Sequence, residues 1–572
     1  MFLASYLKEH QLLDNNVLTK LRDKSALSRT SAYNEVWRDA TAEIYGVDYM
    51  KLEEWMSEAA KAAGIPLTVF SDTKGYEPDL DHYGKIGGVS EDNKEQYLLL
   101  REVGAGRKFI VTTRPDDPSM RGYLKGHYSG EEFSYGICTP AIYQSLYSFY
   151  IEPLLVSKAA NIVSLSNNAL SALDAAKDSE GRRLWRRLMN VGLDRHASDI
   201  HFIPMTKACR VLYRIDGTNV PYTEIPLDVM ERIGNILKTE AKVQVKNPKD
   251  PIDGKARYSP SGSPEDPNAL DIRLSIIPAK AGSDINIRYL PEKLYTFEEI
   301  GMTKENIARY KSLLKLPSGL IVQVGPTGSG KSTTLYAGLS HISHDNLNII
   351  TAEDPVEILM DGISQIDVDD THLTFEMALK AMLRHDPDVI VVGELRDKAT
   401  AELAVRAANT GHLVLTSLHT NDSIGAFERM INMGVDNYAL GEVVAAVMGQ
   451  RLVKRLCPHC KMPYKLKYNT PTAAFYGLHQ EEGEGTFYRP RGCVHCKNTG
   501  YAGRVAINEI LVVDSELRMA IQRHSVRRVF EEHLRRTGFR TMYRDGLQKA
   551  IEGITSLEEL TPYASDAIAF KG

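Results

Sequence analysis

Four short runs in the middle of the chain, 320–324, 347–351, 388–392 and 412–417, are largely apolar rather than alternating. Helix-length stretches separate them. Such runs predict strands covered on both faces, as in a parallel sheet. Upstream the pattern changes. Leu184, Trp185, Leu188 and Met189 recur at helical spacing across 181–194. Polar and apolar residues alternate over 199–204 and 208–215, and 270–277 and 284–290 add two more predicted strands. Between them, 246–253 and 259–268 are rich in Pro, Gly and Asp and predict loops. A helix followed by an antiparallel meander is an α+β arrangement.

The first third is less informative. Residues 6–24 and 33–62 predict helices, 96–113 strands, and the polar, Gly-rich 72–95 a loop. At the other end, 512–572 predicts helices, with Ser556 and Glu559 as a capping box.

With 572 residues, the chain exceeds what one core supports, so several domains are expected. Its formal charge of −5 gives no general attraction to nucleic acid, and no nucleic-acid partner is expected. No run of 18 apolar residues suggests a transmembrane helix, and the N-terminus is charged too early for a signal peptide. A cytoplasmic protein is expected.

The stretch after 320–324 is Gly325-Pro326-Thr327-Gly328-Ser329-Gly330-Lys331-Ser332, followed by Thr333 and a predicted helix over 332–340. It fits G-x-x-x-x-G-K-[ST], which arises by chance in roughly one of fifty chains of this length. Strand, loop and helix are the context the motif needs. Backbone N–H groups of the loop can surround phosphates at the helix N-terminus. Lys331 would carry charge to the β- and γ-phosphates, and Ser332 would offer its hydroxyl to Mg²⁺. The expected ligands are therefore ATP and Mg²⁺.

Other strand ends carry candidate acids. Val389–Val392 is followed by Gly393 and Glu394; the glycine occupies the position where an aspartate is usual. Glu394 is placed to orient or deprotonate the attacking water, or else to pair with Arg396. Glu353, in Glu353-Asp354-Pro355-Val356-Glu357, ends another apolar run and is the candidate second acid. The alternative there is a turn shaped by Pro355. His412 and His419 flank the last apolar run; His419, beyond its end, could sense the γ-phosphate, whereas His412 reads as structural.

Cys457-Pro-His-Cys460 and Cys493-Val-His-Cys496 form two C-x-x-C pairs, 32 residues apart. Four thiolates complete a tetrahedral shell, so structural Zn²⁺ is expected rather than free thiols. The gap is longer than in a zinc ribbon, and an insertion must loop out. His459 and His495 are subordinate alternative ligands. Cys138 and Cys209 stand alone as packing residues.

Residues 197–572 resemble the secretion-type ATPases of type IV pili and type II secretion. The resemblance runs through Ala197–His201, Arg214–Gly217, Gly325–Tyr336, Glu353–Glu357, Arg384–Asp397, Gly411–Asn421 and Gln450–Leu456. Asp545-Gly546 and Gly553–Ser556 extend it. It implies an α/β fold, with a RecA-like ATPase domain over 301–572, a preceding PAS-like α+β domain over 156–290 and a linker over 291–300. A zinc-binding insertion would occupy 455–505 and a helical region 512–572. Residues 1–155 would be a helical or mixed domain that binds a partner.

The resemblance also implies a homo-hexamer beneath the bacterial inner membrane, peripherally associated with it. There it would act on a membrane platform protein and, through that, on pilin or pseudopilin. Glu353 and Glu394 would be catalytic, and His419 would contact the γ-phosphate. Arg214, Arg273 and Arg288 would reach phosphates when the two domains close. The cysteine cluster resembles assembly and export members rather than retraction ones. A nucleic-acid translocase and a non-hydrolysing scaffold are the competing functions.

Overall fold

The computed structural model describes residues 174–564 apart from short gaps. Before them it describes chiefly 67–70, 76–78, 98–112 and 134–138, with scattered positions between 143 and 161. The expected helices over 6–24 and 33–62 lie outside the described residues. Five short strands form the first sheet: β1 (Leu67–Val69), β2 (Tyr76–Pro78), β3 (Leu98–Glu102), β4 (Lys108–Thr112) and β5 (Ser134–Ile137), in the order β1-β5-β4-β3-β2. β3 and β4 fall within the predicted 96–113. β2 lies inside the stretch expected to be a loop, where its pairing with β3 supplies the partner that a three-residue strand needs.

The next unit opens with helix α1 (Asp174–Asp194) and strands β6 (Ala197–Pro204), β7 (Cys209–Ile215) and β8 (Thr218–Ile225). Helix α2 (Leu227–Glu240) follows, then β9 (Ile252–Tyr258), β10 (Leu270–Ala279) and β11 (Gly282–Leu290). The six strands are antiparallel in the order β8-β7-β6-β11-β10-β9. β8, α2 and β9 are additional to the predicted elements, and β9 begins inside a predicted loop. β8 carries Pro221, which an edge strand beside a bulge tolerates but which weakens its strand signature. Ile200, Phe202, Ile272, Leu274 and Ile287 point to one face and pack with Trp185 and Leu188 of α1 and Val229 and Ile233 of α2.

The other face is polar, and register lines its charges up. Arg214 lies opposite Asp199, Asp199 opposite Arg288, Arg288 opposite Arg273, and Arg273 opposite Lys255. Directly opposed residues share a face. The pairing therefore gathers four cations and one buried aspartate into a single row across five strands.

After α3 (Lys304–Leu313) comes a seven-stranded sheet. Its elements are β12 (Gly319–Val324), α4 (Lys331–Ile342), β13 (Ile349–Glu353), β14 (Ser364–Asp367), α5 (Phe375–Met382), β15 (Val389–Val392), α6 (Lys398–Asn409) and β16 (Leu413–Leu418). Then follow α7 (Ser423–Asn432), α8 (Asn437–Val443), β17 (Val444–Leu456) and, after an insertion, β20 (Tyr501–Val512). The order is β14-β13-β15-β16-β12-β17-β20. The central strands are buried at nearly every position, as apolar runs predict. The sheet is not wholly parallel. β20 runs antiparallel to the 13-residue β17, so the four predicted runs account for only its centre.

Helices cover both faces. One apolar cluster includes Leu379, Ala404 and Phe427; the other includes Tyr310, Leu339 and Met448. Thr374, Asp397, Asp422 and Asp436 cap α5, α6, α7 and α8 by accepting an N–H three residues on.

The insertion is a hairpin of β18 (Met462–Lys467) and β19 (Glu484–Arg489). The chain then forms α9 (Ser515–Gln522), α10 (Arg527–Arg536), α11 (Met542–Ile551) and a short 3₁₀ turn over Glu558–Tyr563. The expected Ser556–Glu559 capping box does not form. Ser556 hydrogen-bonds the Tyr501 hydroxyl at 2.9 Å, and Glu559 accepts from the Lys454 backbone N–H at 2.9 Å. Tertiary partners displace the local cap. Among the described residues, contacts between the polar-faced unit and the larger one include Lys255 with Asp367 at 3.7 Å and Gly503 N donating to Asp216 at 3.1 Å.

Candidate nucleotide site and cysteine cluster

Strand register brings the candidate residues to one edge. Val324 lies level with Leu418, Val392 with Ala352 and Thr416. The next residues, Gly325, Glu353, Gly393–Glu394 and His419, therefore emerge together at the carboxyl ends of four adjacent strands. In α/β sheets that edge is where ligands bind.

The loop residues Pro326, Thr327 and Gly328 are exposed, and Ser329 is buried. Gly330 ends the loop at φ 86°, which favours glycine, and starts α4 with no side-chain cap. Unlike the capped helices above, α4 keeps its first-turn N–H groups for another acceptor, and a phosphate fits that role. Lys331 Nζ donates to the carbonyls of Gly325 at 2.7 Å and Pro326 at 3.2 Å. Burial holds its ammonium below the usual lysine range; Glu394 opposes this and Arg451 adds to it. Ser332 is exposed and Thr333 half-buried at the start of α4.

Glu394 is held at both oxygens. Arg396 Nε donates to one, and His419 Nε2 lies 2.9 Å from the other. Arg396 also pairs with Asp354 at 3.0 Å, tying the ends of β13 and β15 together. Glu394 thus makes the pairing with Arg396 and also lies near enough to Lys331 to act on its charge. Glu353 is buried and accepts from the Tyr336 hydroxyl, from Thr351 Oγ1 at 2.6 Å and from Gln365 Nε2 at 3.3 Å. Three donors orient it strongly and leave less capacity for direct proton transfer. His412 Nδ1 donates to the Ala407 carbonyl at 2.9 Å, which fits the structural reading.

Gly393 occupies the usual aspartate position for a steric reason. A Cβ there would lie 3.2 Å from the Ala352 carbonyl oxygen and 3.4 Å from Glu353 Cα, both backbone. Gly393→Ala is expected to cost about 1–3 kcal/mol by overpacking the strand ends. Thermal unfolding of the variant tests this, and an unchanged midpoint would show that the strand ends yield instead.

The arginines are not gathered at the phosphate loop. Asp199 holds Arg288 at 2.8 Å and Arg214 at 3.8 Å. Arg288 and Arg273 act electrostatically on Glu357, at the end of the acidic stretch that begins with Glu353. Sequence proximity already makes Arg396 a candidate partner of Glu394, but its second bond, to Asp354, and the pairing of Asp199 with Arg288 and Arg214 come only from strand-end packing and strand register.

The four cysteines meet. Their sulfurs lie within 4.8 Å of one another, with Cys457–Cys493 at 3.8 Å, Cys460–Cys496 at 3.7 Å and Cys493–Cys496 at 3.8 Å. A tetrahedron with metal–sulfur bonds of about 2.3 Å has sulfur edges of about 3.8 Å, so the donor set fits zinc. Backbone N–H groups of Cys493 and Gly500 each point at Cys496 Sγ at 3.1 Å, which favours a thiolate there. Cys457, Cys460 and Cys496 are buried. His459 is not part of the group, and His495 lies outside the described residues. The looped-out insertion is the β18–β19 hairpin, which packs Leu466 and Phe487 against Met542, Tyr543 and Leu560.

A phosphate-binding backbone at one strand end, with a carboxylate and a histidine at the neighbouring ends of a largely parallel sheet, defines a P-loop ATPase of RecA-like architecture. Residues 174–562 match the family model described as Type II/IV secretion system protein, and the chain belongs to that family. It is 35% identical over 502 residues to the type IV pilus assembly ATPase PilB of Pseudomonas aeruginosa, covering 84% of this chain and 86% of that one. Type II secretion system protein E of Klebsiella pneumoniae is 37% identical over 401 residues, covering 69% and 78%. PilB of Thermus thermophilus is 38% identical over 387 residues, a stretch that covers 67% of this chain but 43% of the relative. The X-ray structure of the Legionella pneumophila ATPase DotB superposes with a TM-score of 0.51 at 21% identity, covering 66% of this chain and 95% of DotB, a likeness of fold. The protein is an ATP-hydrolysing motor of the kind that serves pilus assembly and type II secretion.

Proposed function

We propose that the chain works as a homo-hexameric, Mg²⁺-dependent motor that assembles a type IV pilus or a secretion pseudopilus by acting on an inner-membrane platform protein. The observation that carries this reading is the convergence of Gly325, Glu353, Glu394 and His419 at one sheet edge, in a chain whose relatives carry pilus-assembly and secretion names.

In this reading Lys331 and the loop amides would hold the nucleotide phosphates, and the Ser332 hydroxyl would hold Mg²⁺, which would neutralise phosphate charge. The γ-phosphate draws His419 away from Glu394, which opens one carboxylate oxygen to the attacking water. Glu353, fixed by Tyr336 and Thr351, orders the edge beside it. The row of Arg214, Arg288 and Arg273 compensates transition-state charge when its sheet closes on a nucleotide. Domain limits of 1–155, 156–290 and 301–572 with a linker between suit this division of labour. The cysteine cluster holds structural zinc. Among the described residues no helix is long and apolar enough to cross a membrane, which suits peripheral attachment through a partner.

Trapping the ATP-bound state with Glu394→Gln and purifying it from solubilised native membranes tests the reading. A six-copy native mass with a polytopic membrane protein and pilin or pseudopilin attached is expected. Nucleic acid or DNA-processing proteins in their place would keep the motor and replace its cargo.

A further inference from the structure

We infer that Gln450, on β17, is a positioning residue that sets the height of the phosphate loop and so tunes nucleotide affinity. The parallel register of β12 and β17 ends with Val324 opposite Gly449. Gln450 is the next residue, and it sits beside the start of the loop. Its side chain is 2% exposed and nearly saturated with hydrogen bonds. Nε2 donates to the Ser329 carbonyl at 2.8 Å. Oε1 accepts from Thr334 Oγ1 at 2.8 Å and from Asn508 Nδ2 at 2.8 Å. One amide thus grips the loop at Ser329 and the first turn of α4 at Thr334, on either side of Gly330, Lys331 and Ser332.

The grip is close. A Cβ on Gly330 would lie 2.8 Å from Gln450 Nε2, and one on Gly325 would lie 2.6 Å from the Gln450 carbonyl oxygen. The Gln450 amide thus takes the side-chain space of Gly330, whereas that of Gly325 is taken by Ser329 Oγ, at 2.5 Å, together with the Gln450 backbone. The anchor behind it is buried. Asn508 is the cross-strand neighbour of Gln450 on β20, and its backbone N–H donates to Asp545 of α11 at 3.0 Å. Loop position is thereby tied to α11 through the side chains of Gln450, Asn508 and Asp545. A buried amide that satisfies three partners cannot be replaced by an apolar side chain without leaving those partners unpaired. Donors of the loop must meet phosphate oxygens to within a few tenths of an ångström, so a loosened loop loses affinity before it loses its fold.

The inference rests on the loop being the nucleotide site, and the test separates the two. In the full-length chain, Gln450→Met keeps the length and volume of the side chain and removes the amide. Binding of a fluorescent ADP analogue with Mg²⁺ is expected to weaken about fivefold or more, with the KM for ATP rising by a similar factor and kcat changing less. Thr334→Val, which removes one of the three hydrogen bonds, should weaken binding less, and Thr334→Ser should restore it. The double variant should fall short of the product of the single effects, because both loosen one clamp. Affinity within twofold of the parent in Gln450→Met, with only the thermal midpoint lowered, would make Gln450 a core residue and overturn the inference. If Gln450→Met does not fold, Thr334→Val decides: affinity within experimental error of the parent overturns the inference. Lys331→Ala serves as the reference. If it too leaves binding intact, the assignment of the nucleotide site fails rather than that of Gln450.

Discussion

Glu394→Gln is expected to lower kcat for ATP hydrolysis by about 10²- to 10⁴-fold, the range for a positioned general base, while nucleotide binding changes little. The substituted side chain has the same shape, so the loop and Lys331 keep their places. It lacks the second acceptor oxygen, however. In the parent, Arg396 and His419 each have an oxygen of Glu394 to themselves. An amide accepts from only one of them. With Arg396 on its oxygen, its NH₂ faces His419, which stays bonded only as the tautomer whose Nε2 accepts. The variant should therefore weaken the hold on His419, which helps it keep ATP in the closed state. Single-turnover hydrolysis and equilibrium ATP binding measured side by side decide the matter. Turnover within about tenfold of the parent would mean that Glu394 serves mainly as the anchor of Arg396, and the general base would have to be sought elsewhere on the same edge.

Zinc removal is the second large effect. The chain is expected to contain one zinc per molecule, and Cys460→Ser to lose most of it. Structural Cys₄ sites bind zinc with apparent free energies on the order of 10–16 kcal/mol at neutral pH, so the ion organises what it touches. Here that is the junction of β17, the β18–β19 hairpin and β20: Cys457 N donates to the Gly500 carbonyl at 2.9 Å, and Gly500 N points back at Cys496. Without a cation, four thiolates at these separations would repel one another, so Cys457 and Cys493 are held protonated and Cys496 is the one sulfur whose thiolate is favoured. Chelation or Cys460→Ser should make the segment 457–500 sensitive to protease. ATP affinity should survive, since Gln450 and Cys457 are about 20 Å apart along an extended strand. Elemental analysis together with limited proteolysis checks both parts. A metal-free protein with the same resistant segment would show that hairpin packing alone holds the insertion.

The candidate site was legible in unequal measure. The loop from Gly325 to Ser332 is contiguous, and its strand–loop–helix context is written in a few dozen residues. The paired cysteines likewise declare their chemistry by spacing, although the hairpin between them does not. Glu353 and Glu394 stand out as acids at the ends of apolar runs, and Arg396, two residues on, as a partner of Glu394, but the other partners do not. Tyr336 and Gln365 reach Glu353, and His419 reaches Glu394, only after strands and helices pack. Helix α2 repeats Val229, Met230, Ile233 and Leu237 at helical spacing, so that element was present in the pattern although absent from the predicted list. β8, with Pro221 in an edge strand, has a weaker signature.

The sequence by itself determined the elements whose patterns are local: buried central strands, the phosphate loop, the alternating strands of the smaller sheet and the two cysteine knuckles. Only the tertiary structure decided register. It placed Arg214, Asp199, Arg288, Arg273 and Lys255 in one row, set β20 against β17, and carried Gln450 to a loop 121 residues away. The physical reason is that periodicity reports which face of a segment is apolar, whereas register depends on which distant segment supplies the complementary face.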